Sequence, residues 1–261
     1  MDFEYITENV AGPGLDPVCL EDQFEGCSCI GECSAASKCS CIFNGLPNYY
    51  KDGRFIHLPN SASSSVHLEC SDNCECALCP EKCTNRNIQF GIKFKLKVAK
   101  CDSEQKGFGV FAQEKIPAGH FVVEYVGELV SKEEAEKRLT SQQHHNYLFT
   151  IREFIGGECQ YTFIDGRYKG NISRYINHSC EPNLFLQVFR LGRASPSLAM
   201  FASRDILEGE ELSYSYGFLS NEAEQQEQDV NLSTKSVILS LKKCFCGSAN
   251  CKGRLPSALN I

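Results

Sequence analysis

The chain has 261 residues, of which 42% are hydrophobic, and a formal net charge of −7. This length supports one substantial core with smaller modules attached to it. No run of about 18 apolar residues occurs, so we expect no membrane span, and the polar start MDFEYITENV lacks the features of a secretory signal. The negative charge gives no support to direct nucleic-acid binding, which stays an alternative, and favours a basic peptide as partner.

Residues 1–25 are predicted to form an irregular N-terminal lead-in with the turn signal AGPG, and residues 26–90 form a cysteine-rich module. The whole chain has 17 cysteines and no recognisable export signal. Disulfides do not persist in a reducing compartment, so dense cysteine there more often indicates metal binding. The repeated C-x-C pairs favour zinc over a secreted, disulfide-bonded protein, because thiolates two residues apart rarely meet disulfide geometry but can share metal ions.

The cysteine-rich module has two clusters of thiols, which are Cys27, Cys29, Cys33, Cys39 and Cys41, and then Cys70, Cys74, Cys76, Cys79 and Cys83. Zinc takes four ligands, so nine thiolates can hold three zinc ions if three of the thiolates bridge. The tail, residues 244–261, adds only Cys244, Cys246 and Cys251. Cys180, in RYINHSCEPN, is the best candidate for the fourth ligand there, and a shared zinc ion would fold the tail back over the neighbours of Cys180.

Residues 91–219 are predicted to be rich in short strands. IKFKLKV predicts a half-buried strand with a basic outer face, which we interpret as solvated, with phosphate binding as the alternative. VFA and FVVEYVGELV follow as strands, and Ser131 with Glu134 forms a capping box before a short helix. NYLFTI and CQYTFID predict a hairpin, LFLQVFRL and SLAMFASRDI two further strands, and ELSYSYGF closes the block. Residues 220–243 resemble a flexible linker, and the fold class is mainly β.

Four motifs in this order, KGFGVFA, EYVGE, GNISRYINHSCEPN and GEELSYSYGF, resemble the signatures of SET-domain lysine methyltransferases. The cysteine-rich module resembles the pre-SET zinc cluster of that family, and CFCGSANC resembles its post-SET zinc loop. The resemblance implies a SET-domain β-clip with a C-terminal pseudoknot, flanked by a three-zinc pre-SET module and a one-zinc post-SET loop. It also implies transfer of methyl groups from S-adenosylmethionine to a lysine of a histone tail or nucleosome, in the nucleus and on the chromosome.

The resemblance assigns the zinc ligands among the many cysteines. The family has one cysteine after the C-x-C of the second cluster, and we assign Cys83, since it precedes TNR, and leave Cys79 as an extra residue. Cys19, Cys101 and Cys159 are interpreted as plain thiols. The predicted ligands are therefore Cys27, Cys29, Cys33, Cys39, Cys41, Cys70, Cys74, Cys76 and Cys83 in the pre-SET module, and Cys180, Cys244, Cys246 and Cys251 in the post-SET loop.

Methyl transfer from a sulfonium to an amine is an in-line displacement that needs a neutral amine and strict alignment. A free lysine has a pKa of about 10.4, and an apolar channel beside a sulfonium disfavours its charged form. The resemblance implies that Tyr216 is the catalytic tyrosine, that Tyr125 is a wall of the lysine channel, and that Tyr214 limits the number of methyl groups. A tyrosine at position 214 favours mono- or dimethyl-lysine as the product.

For the cofactor, the resemblance implies a binding loop at KGFG, where glycines let the backbone approach the ligand closely. Phe108 replaces the more usual Trp of the family. Phe245, between two zinc ligands, is predicted to pack on the adenine. The predicted cofactor-binding residues are Lys106, Gly107, Phe108, Gly109, Tyr147, Arg174, Asn177, His178 and Phe245.

Two positions depart from the family pattern. Ser215 lies where relatives usually have Asp, which favours a looser or less active site, and Thr150 replaces an acidic residue of the lysine-nine subfamily. The sequence is therefore also compatible with a weakly active or inactive SET module that binds chromatin. Two further hypotheses are a methyltransferase for a non-histone protein and a zinc-based nucleic-acid binder.

Overall fold

The computed structural model describes residues 3–21, 24–42, 47–50, 52–56, 67–141, 147–155, 157–216 and 242–256. In these ranges short strands predominate, and the single α-helix is α1 (Lys132–Ser141). The strands are β1 (Glu4–Tyr5), β2 (Val10–Ala11), β3 (His67–Leu68), β4 (Leu96–Lys100), β5 (Phe108–Ala112), β6 (Phe121–Tyr125), β7 (Glu128–Val130), β8 (Leu148–Ile155), β9 (Glu158–Asp165), β10 (Lys169–Gly170), β11 (Asn177–His178), β12 (Leu184–Arg190), β13 (Ser197–Ala202) and β14 (Ser213–Tyr214). Within the described ranges, no helix has both the length and the apolar character to span a membrane.

Two four-stranded sheets enclose the main core. Their strand orders are β2-β7-β9-β8 and β3-β12-β13-β6. Ile164, Leu198 and Met200 are completely buried between the elements, and each such side chain stabilises the fold by about 1.5–3 kcal/mol relative to exposure. Because β6 runs through this core, its last residue, Tyr125, is held in a fixed place.

The strand predictions are largely confirmed. β8 pairs with β9 from Leu148↔Asp165 to Ile155↔Glu158, as the hairpin of NYLFTI and CQYTFID requires, and β12 pairs with β13 antiparallel. The predicted strand IKFKLKV begins later than expected, at Leu96. Phe94 precedes the strand but still packs against the core, so the alternation of buried and exposed side chains is right while the strand boundary is wrong.

The helix α1 follows Ser131, but its capping box is only half formed. The hydroxyl of Ser131 accepts from the backbone N–H of Glu134 at 3.3 Å, as predicted. The reciprocal bond to the backbone N–H of Ser131 is not made, because that group donates to the carbonyl of Pro13. The carboxylate of Glu134 instead accepts from Arg138 at 2.9 Å, so it stabilises the helix through an i,i+4 ion pair.

Arg138 also joins the helix to β7 and β9, the two central strands of the sheet. Its Nη1 atom donates to Glu128 at 2.9 Å and to Asp165 at 2.8 Å, and Asp165 is completely buried. A buried carboxylate costs free energy unless it is paired and hydrogen-bonded. The final glutamate of EYVGE therefore belongs to a buried ion network and not to the surface.

The lead-in is more ordered than the irregular segment that the sequence predicts. β1 pairs in parallel with β10 and β2 pairs in parallel with β7, so residues 3–21 follow the surface of the strand-rich domain. The side-chain oxygen of Asn9 accepts from the backbone N–H of Gly127 at 3.0 Å. The predicted linker, residues 220–243, lies outside the described residues except at 242 and 243, as do Gly217 and Phe218 of GEELSYSYGF.

The cysteine-rich module is joined to the sheets through Glu69, which is 2% exposed. Its carboxylate accepts from the hydroxyl of Tyr49 at 2.5 Å and from the backbone N–H groups of Asn87 and Ile88 at 2.9 and 3.0 Å. Tyr49 stacks on Phe189 of β12 with ring centroids 6.0 Å apart. The module and the sheets therefore share a satisfied polar contact and an aromatic core.

Candidate active site and cysteine clusters

Three tyrosines that lie far apart in the sequence meet on one side of the sheets. Tyr214 and Tyr216 have ring centroids 4.8 Å apart. Phe149 of β8 joins them to Tyr125, with centroids 5.8 Å from Tyr125 and 6.5 Å from Tyr214. Tyr125 and Tyr214 are buried, whereas Tyr216 is 39% exposed. Tyr125 and Tyr214 form the buried part of this group of rings, which we call the aromatic recess.

The hydroxyl groups in this recess are fixed by backbone acceptors. The Tyr125 hydroxyl donates to the carbonyl of Tyr147 at 2.5 Å, and the Tyr216 hydroxyl donates to the carbonyl of Ile176 at 3.0 Å. Loss of solvent raises the pKa of Tyr125, of Tyr214 and of Tyr216 above the ordinary value. All three hydroxyls are therefore neutral near pH 7, and their oxygen atoms offer lone pairs without charge.

The parallel pairing of β11 with β14 brings NHSC beside SYSY. Asn177 is opposite Ser213, and His178 is opposite Tyr214. The Nδ1 atom of His178 accepts from the backbone N–H of Tyr216 at 3.1 Å, so the neutral ring carries its proton on Nε2. Burial lowers the pKa of His178, which favours this neutral form. His178 thus orients the chain at Tyr216.

The predicted cofactor loop lies next to this pairing. Gly107 has φ +73°, a left-handed conformation that favours glycine. At Gly109 an added Cβ would come within 2.8 Å of the thiol of Cys101 and within 3.2 Å of the amide of Asn177. That amide donates to the carbonyl of Phe108 at 3.0 Å. Gly109 therefore permits the close approach of the loop to β11, whereas Gly107 permits the left-handed turn before it.

Glu211 is a functional candidate that the sequence motifs did not identify. Its carboxylate accepts from Lys106 at 2.5 Å, from Asn177 at 3.0 Å and from the thiol of Cys101 at 3.4 Å. It therefore holds two predicted cofactor residues in one arrangement. The signal was present in GEELSYSYGF, where Glu211 lies three residues before Tyr214, but the sequence did not reveal its partners. Cys101, interpreted as a plain thiol, lies in this cluster.

The other predicted cofactor residues lie around the same region or on the tail. Arg174 is buried, and its guanidinium carbon lies 4.4 Å from the ring centroid of Tyr147. Phe108 and Phe245 are 51% and 38% exposed, which is unusual for phenylalanine. Phe245 contacts Lys243 through a cation–π interaction.

The sulfur atoms of the cysteine-rich module form three overlapping groups, in each of which all ligand atoms lie within 4.8 Å of one another. Cys27 belongs to all three groups, an overlap that sharing of thiolates would require. The groups are Cys27, Cys29, Cys33 and Cys39; then Cys27, Cys41, Cys70 and Cys74; and finally Cys27, Cys33, Cys70 and Cys76.

Cys79 and Cys83 differ in burial and in their position relative to the other predicted zinc ligands. Cys83 is 5% exposed and lies in the same buried cluster as the other eight predicted ligands of the module, although it belongs to none of the three compact groups. Its thiol interacts with that of Cys70, which lowers the pKa of Cys83 to about 5. Cys79 is only half-buried and lies outside the cluster. The position of Cys83 fits a ligand better than that of Cys79.

The sulfur atoms of Cys180, Cys244, Cys246 and Cys251 lie within 4.8 Å of one another. Cys180 and Cys244 are 3.9 Å apart, and the backbone N–H of Lys252 donates to the sulfur of Cys180 at 3.3 Å. The Nε2 atom of His178 lies 3.4 Å from the same sulfur. The tail therefore folds back beside the pairing of β11 and β14, as the sequence predicts.

Comparisons with known proteins agree with this arrangement. The family model described as SET domain matches residues 107–217, and the Pre-SET motif matches residues 1–86. A Caenorhabditis elegans protein described as probable histone-lysine N-methyltransferase set-23 is 42% identical over 257 residues, which cover 98% of this chain and 97% of that protein. These matches extend over both the cysteine-rich module and the strands.

Two solved structures are similar as well. The methyltransferase domain of human histone-lysine N-methyltransferase SETMAR has a TM-score of 0.79 at 33% identity, covering 98% of this chain and 90% of that chain. KRYPTONITE, solved with mCHH DNA, an H3(1-15) peptide and SAH, has a TM-score of 0.71 at 31% identity, covering 97% of this chain and 48% of that chain.

The fold and the matched motifs define the class: this is a mainly β SET domain preceded by a pre-SET region. The chain belongs to the SET-domain family of histone-lysine methyltransferases. The resemblance and the fold class predicted from the sequence are confirmed. The lead-in FEYITENVAGPGLDP also resembles the start of the methyltransferase half of SETMAR, in agreement with the structural match.

Proposed function

We propose that this chain is an S-adenosylmethionine-dependent histone-lysine N-methyltransferase whose product is mono- or dimethyl-lysine. The observation that carries the proposal is the aromatic recess of Tyr125, Tyr214 and Tyr216, placed directly beside β11 and the KGFG loop. A flat-walled recess with neutral hydroxyls suits an uncharged amine and a methyl group better than a charged or branched ligand.

The chain's own residues would align the reactants and would not move protons during the displacement. S-adenosylmethionine supplies the methyl group on a sulfonium. Tyr216, fixed through its hydroxyl and its backbone N–H, serves as the catalytic tyrosine that orients the amine and the methyl group. Tyr125 forms a channel wall, and Tyr214 occupies the space that a third methyl group would need. Alignment of this kind supplies on the order of 7–11 kcal/mol in favourable cases.

The cofactor would be held by the loop and by β11. The glycines at 107 and 109 let the backbone approach the ligand, and Lys106 and Asn177 are held in place by Glu211. Tyr147 and Arg174 contact each other through a cation–π interaction. His178 accepts a hydrogen bond from the backbone N–H of Tyr216 and so orients it. The exposed rings of Phe108 and Phe245 offer apolar faces for the adenine.

The cysteine clusters fit zinc by the chemistry of their donors. Thiolates are preferred ligands of zinc, and groups of four sulfur atoms within 4.8 Å match a tetrahedral site. We propose three zinc ions in the pre-SET module, bound by the nine predicted cysteines, and one in the post-SET loop, bound by Cys180 and the three tail cysteines. The proposed domains are the lead-in 1–25, pre-SET 26–90, SET 91–219, linker 220–243 and post-SET 244–261.

A histone tail is the proposed substrate, presented on a nucleosome. The net charge of −7 complements a basic peptide, and KRYPTONITE was solved with an H3(1-15) peptide. This substrate places the protein in the nucleus and on the chromosome. Direct nucleic-acid binding is an additional hypothesis that the net charge does not support.

Ser215 favours a second candidate, a weakly active or inactive SET module that binds chromatin. Calorimetry with S-adenosylhomocysteine and transfer of radiolabelled methyl from S-adenosylmethionine to core histones separate the two. Binding with transfer supports the enzyme, and binding without transfer supports the module. Transfer to other proteins on a peptide array, but not to histones, would indicate a non-histone methyltransferase.

A further inference from the structure

Phe3 in the lead-in reaches the proposed cofactor residues from the outside of the domain. The guanidinium carbon of Arg174 lies 4.2 Å from the ring centroid of Phe3 and 4.4 Å from that of Tyr147. Phe3 also contacts Tyr175 edge-on, with centroids 6.1 Å apart. The ring centroid of Tyr175 lies 5.1 Å from the same guanidinium carbon, so Arg174 contacts three aromatic rings, of which Phe3 comes from the lead-in.

Three hydrogen bonds also orient the side chain of Arg174. Its Nε atom donates to the carbonyl of Gly166 at 2.9 Å, its Nη2 to the carbonyl of Arg167 at 3.1 Å, and its Nη1 to the hydroxyl of Tyr175 at 3.1 Å. These bonds hold the edge of the guanidinium, and the contacts over its faces are made by the aromatic rings. A cation above an aromatic face is stabilised by the ring quadrupole, more strongly where solvent is excluded.

The backbone carbonyl of Tyr147 is an acceptor for both the aromatic recess and the turn at Gly166. Its carbonyl accepts from the hydroxyl of Tyr125 and from the backbone N–H of Gly166 at 3.1 Å. Gly166 in turn accepts from Arg174 through its carbonyl. A shift of the Arg174 guanidinium therefore reaches the side chain of Tyr147, whereas the carbonyl of Tyr147 stays bound by Tyr125 and Gly166.

The lead-in holds Phe3 in place through its backbone. β1 begins one residue later, where the N–H of Glu4 donates to the carbonyl of Tyr168 at 2.8 Å and the N–H of Ile6 donates to the carbonyl of Gly170 at 2.8 Å. The β1 neighbour Tyr5 is 58% exposed. The strand therefore anchors the lead-in, and the Phe3 ring beside it contacts Arg174.

We propose that Phe3 is a positioning residue for cofactor binding, which acts by holding Arg174 against Tyr147. This inference rests on the proposed function and extends it, because it makes the lead-in part of the cofactor site. Loss of the Phe3 ring would remove the shortest of the three cation–π contacts of Arg174 and leave those with Tyr147 and Tyr175. Tyr147 would then be held less firmly, and affinity for the cofactor would fall while the chemical step stays unchanged.

The test compares Phe3→Ala, Phe3→Leu and Phe3→Tyr with Tyr5→Ala, which removes an exposed ring from the same strand. Calorimetry with S-adenosylhomocysteine gives the Kd. Phe3→Ala is expected to raise the Kd about five- to tenfold, the size of one cation–π contact. Phe3→Leu raises it less, and Phe3→Tyr and Tyr5→Ala leave it unchanged. The KM for S-adenosylmethionine follows the Kd, whereas kcat and the KM for a histone peptide stay at the wild-type values.

Phe3→Leu carries the test if Phe3→Ala does not fold, since it keeps apolar bulk without a ring. The inference is overturned if both variants bind like wild type, or if Tyr5→Ala weakens binding equally, which would indicate general loosening of the strand. If the wild-type chain itself does not bind S-adenosylhomocysteine, the proposed function fails and this inference fails with it. If the wild type binds and the Phe3 variants bind equally well, only the inference fails.

Discussion

The hydroxyl of Tyr216 donates a hydrogen bond to the backbone carbonyl of Ile176 at 3.0 Å. Ile176 directly precedes β11, so the bond crosses from the end of one paired segment to the other. The Tyr216 hydroxyl is therefore set by the backbone and not by a mobile side chain. This rigid placement is what an alignment-based displacement requires of its catalytic tyrosine.

Replacing Tyr216 with Phe removes this hydroxyl and keeps the ring. We expect kcat to fall at least about 100-fold, because the amine and the methyl group lose their alignment. The Kd for S-adenosylhomocysteine is expected to stay within about twofold, because the interaction is used in the transition state. Transfer of radiolabelled methyl and calorimetry measure the two effects. Turnover near the wild-type rate would contradict the role assigned to Tyr216.

Tyr214→Phe is expected to shift the product towards a higher methyl number. Tyr214 is buried and its ring lies 4.8 Å from that of Tyr216, so loss of its hydroxyl enlarges the closed end of the recess. Mass spectrometry of a methylated histone peptide at full conversion reports the distribution of products. A distribution identical to wild type would show that another residue limits the product.

Cys83→Ser and Cys79→Ser form a matched pair of variants. Cys83 lies in the buried cluster and Cys79 does not. We expect Cys83→Ser to lower the zinc content and the Tm, because a structural zinc site contributes directly to folding. Cys79→Ser is expected to retain both. Elemental analysis of the purified proteins gives the zinc content, and the reverse pattern would exchange the two assignments.

Glu124 gives a prediction for the pH dependence of stability. Loss of solvent raises the pKa of its carboxyl from 4.5 to about 7, against the effects of Ser197 and Arg193, while Glu69 and Glu8 add to the rise. The folded state therefore binds the proton more tightly than the unfolded state. The stability contributed by protonated Glu124 is complete below pH 4.5 and is lost as the pH rises to about 7.

Glu124→Gln mimics the protonated form at every pH. Relative to wild type, we expect it to gain about 1–2 kcal/mol of unfolding free energy at about pH 8, and much less at about pH 5. Urea unfolding at the two pH values measures the difference. Glu208→Gln, at an exposed position, is the control and should change neither value. A gain that is equal at both pH values would refute the assignment.

Local patterns in the sequence identify most of the fold but not its long-range contacts. The alternation in CQYTFID and the apolar run in SLAMFASRDI are sufficient to predict β9 and β13. The strands β1 and β2 have two residues each, which is too short for any periodicity. They form because the catalytic domain offers β10 and β7 as partners. Such pairings depend on the folded surface, so the sequence of the lead-in alone does not predict them.

In the candidate site, too, the sequence predicts individual residues but not their long-range contacts. The motifs identify Tyr216 and Asn177 by resemblance, and the spacing of the cysteines indicates metal binding. The role of Glu211 depends on Lys106, which is 105 residues away in the sequence. Likewise, the sulfur of Cys41 meets that of Cys74 across 33 residues. Side chains at such separations are brought together by the fold. The sequence therefore predicts which residue types take part in the chemistry, but not which residues contact one another.

The most direct test of the account is mass spectrometry of nucleosomes incubated with the purified protein and S-adenosylmethionine. We predict mono- and dimethylation of a lysine in a histone tail, absent when the Tyr216→Phe variant is used. Histones that stay unmodified by a wild-type protein that contains zinc and binds S-adenosylhomocysteine would contradict the assignment of this chain as a histone-lysine methyltransferase.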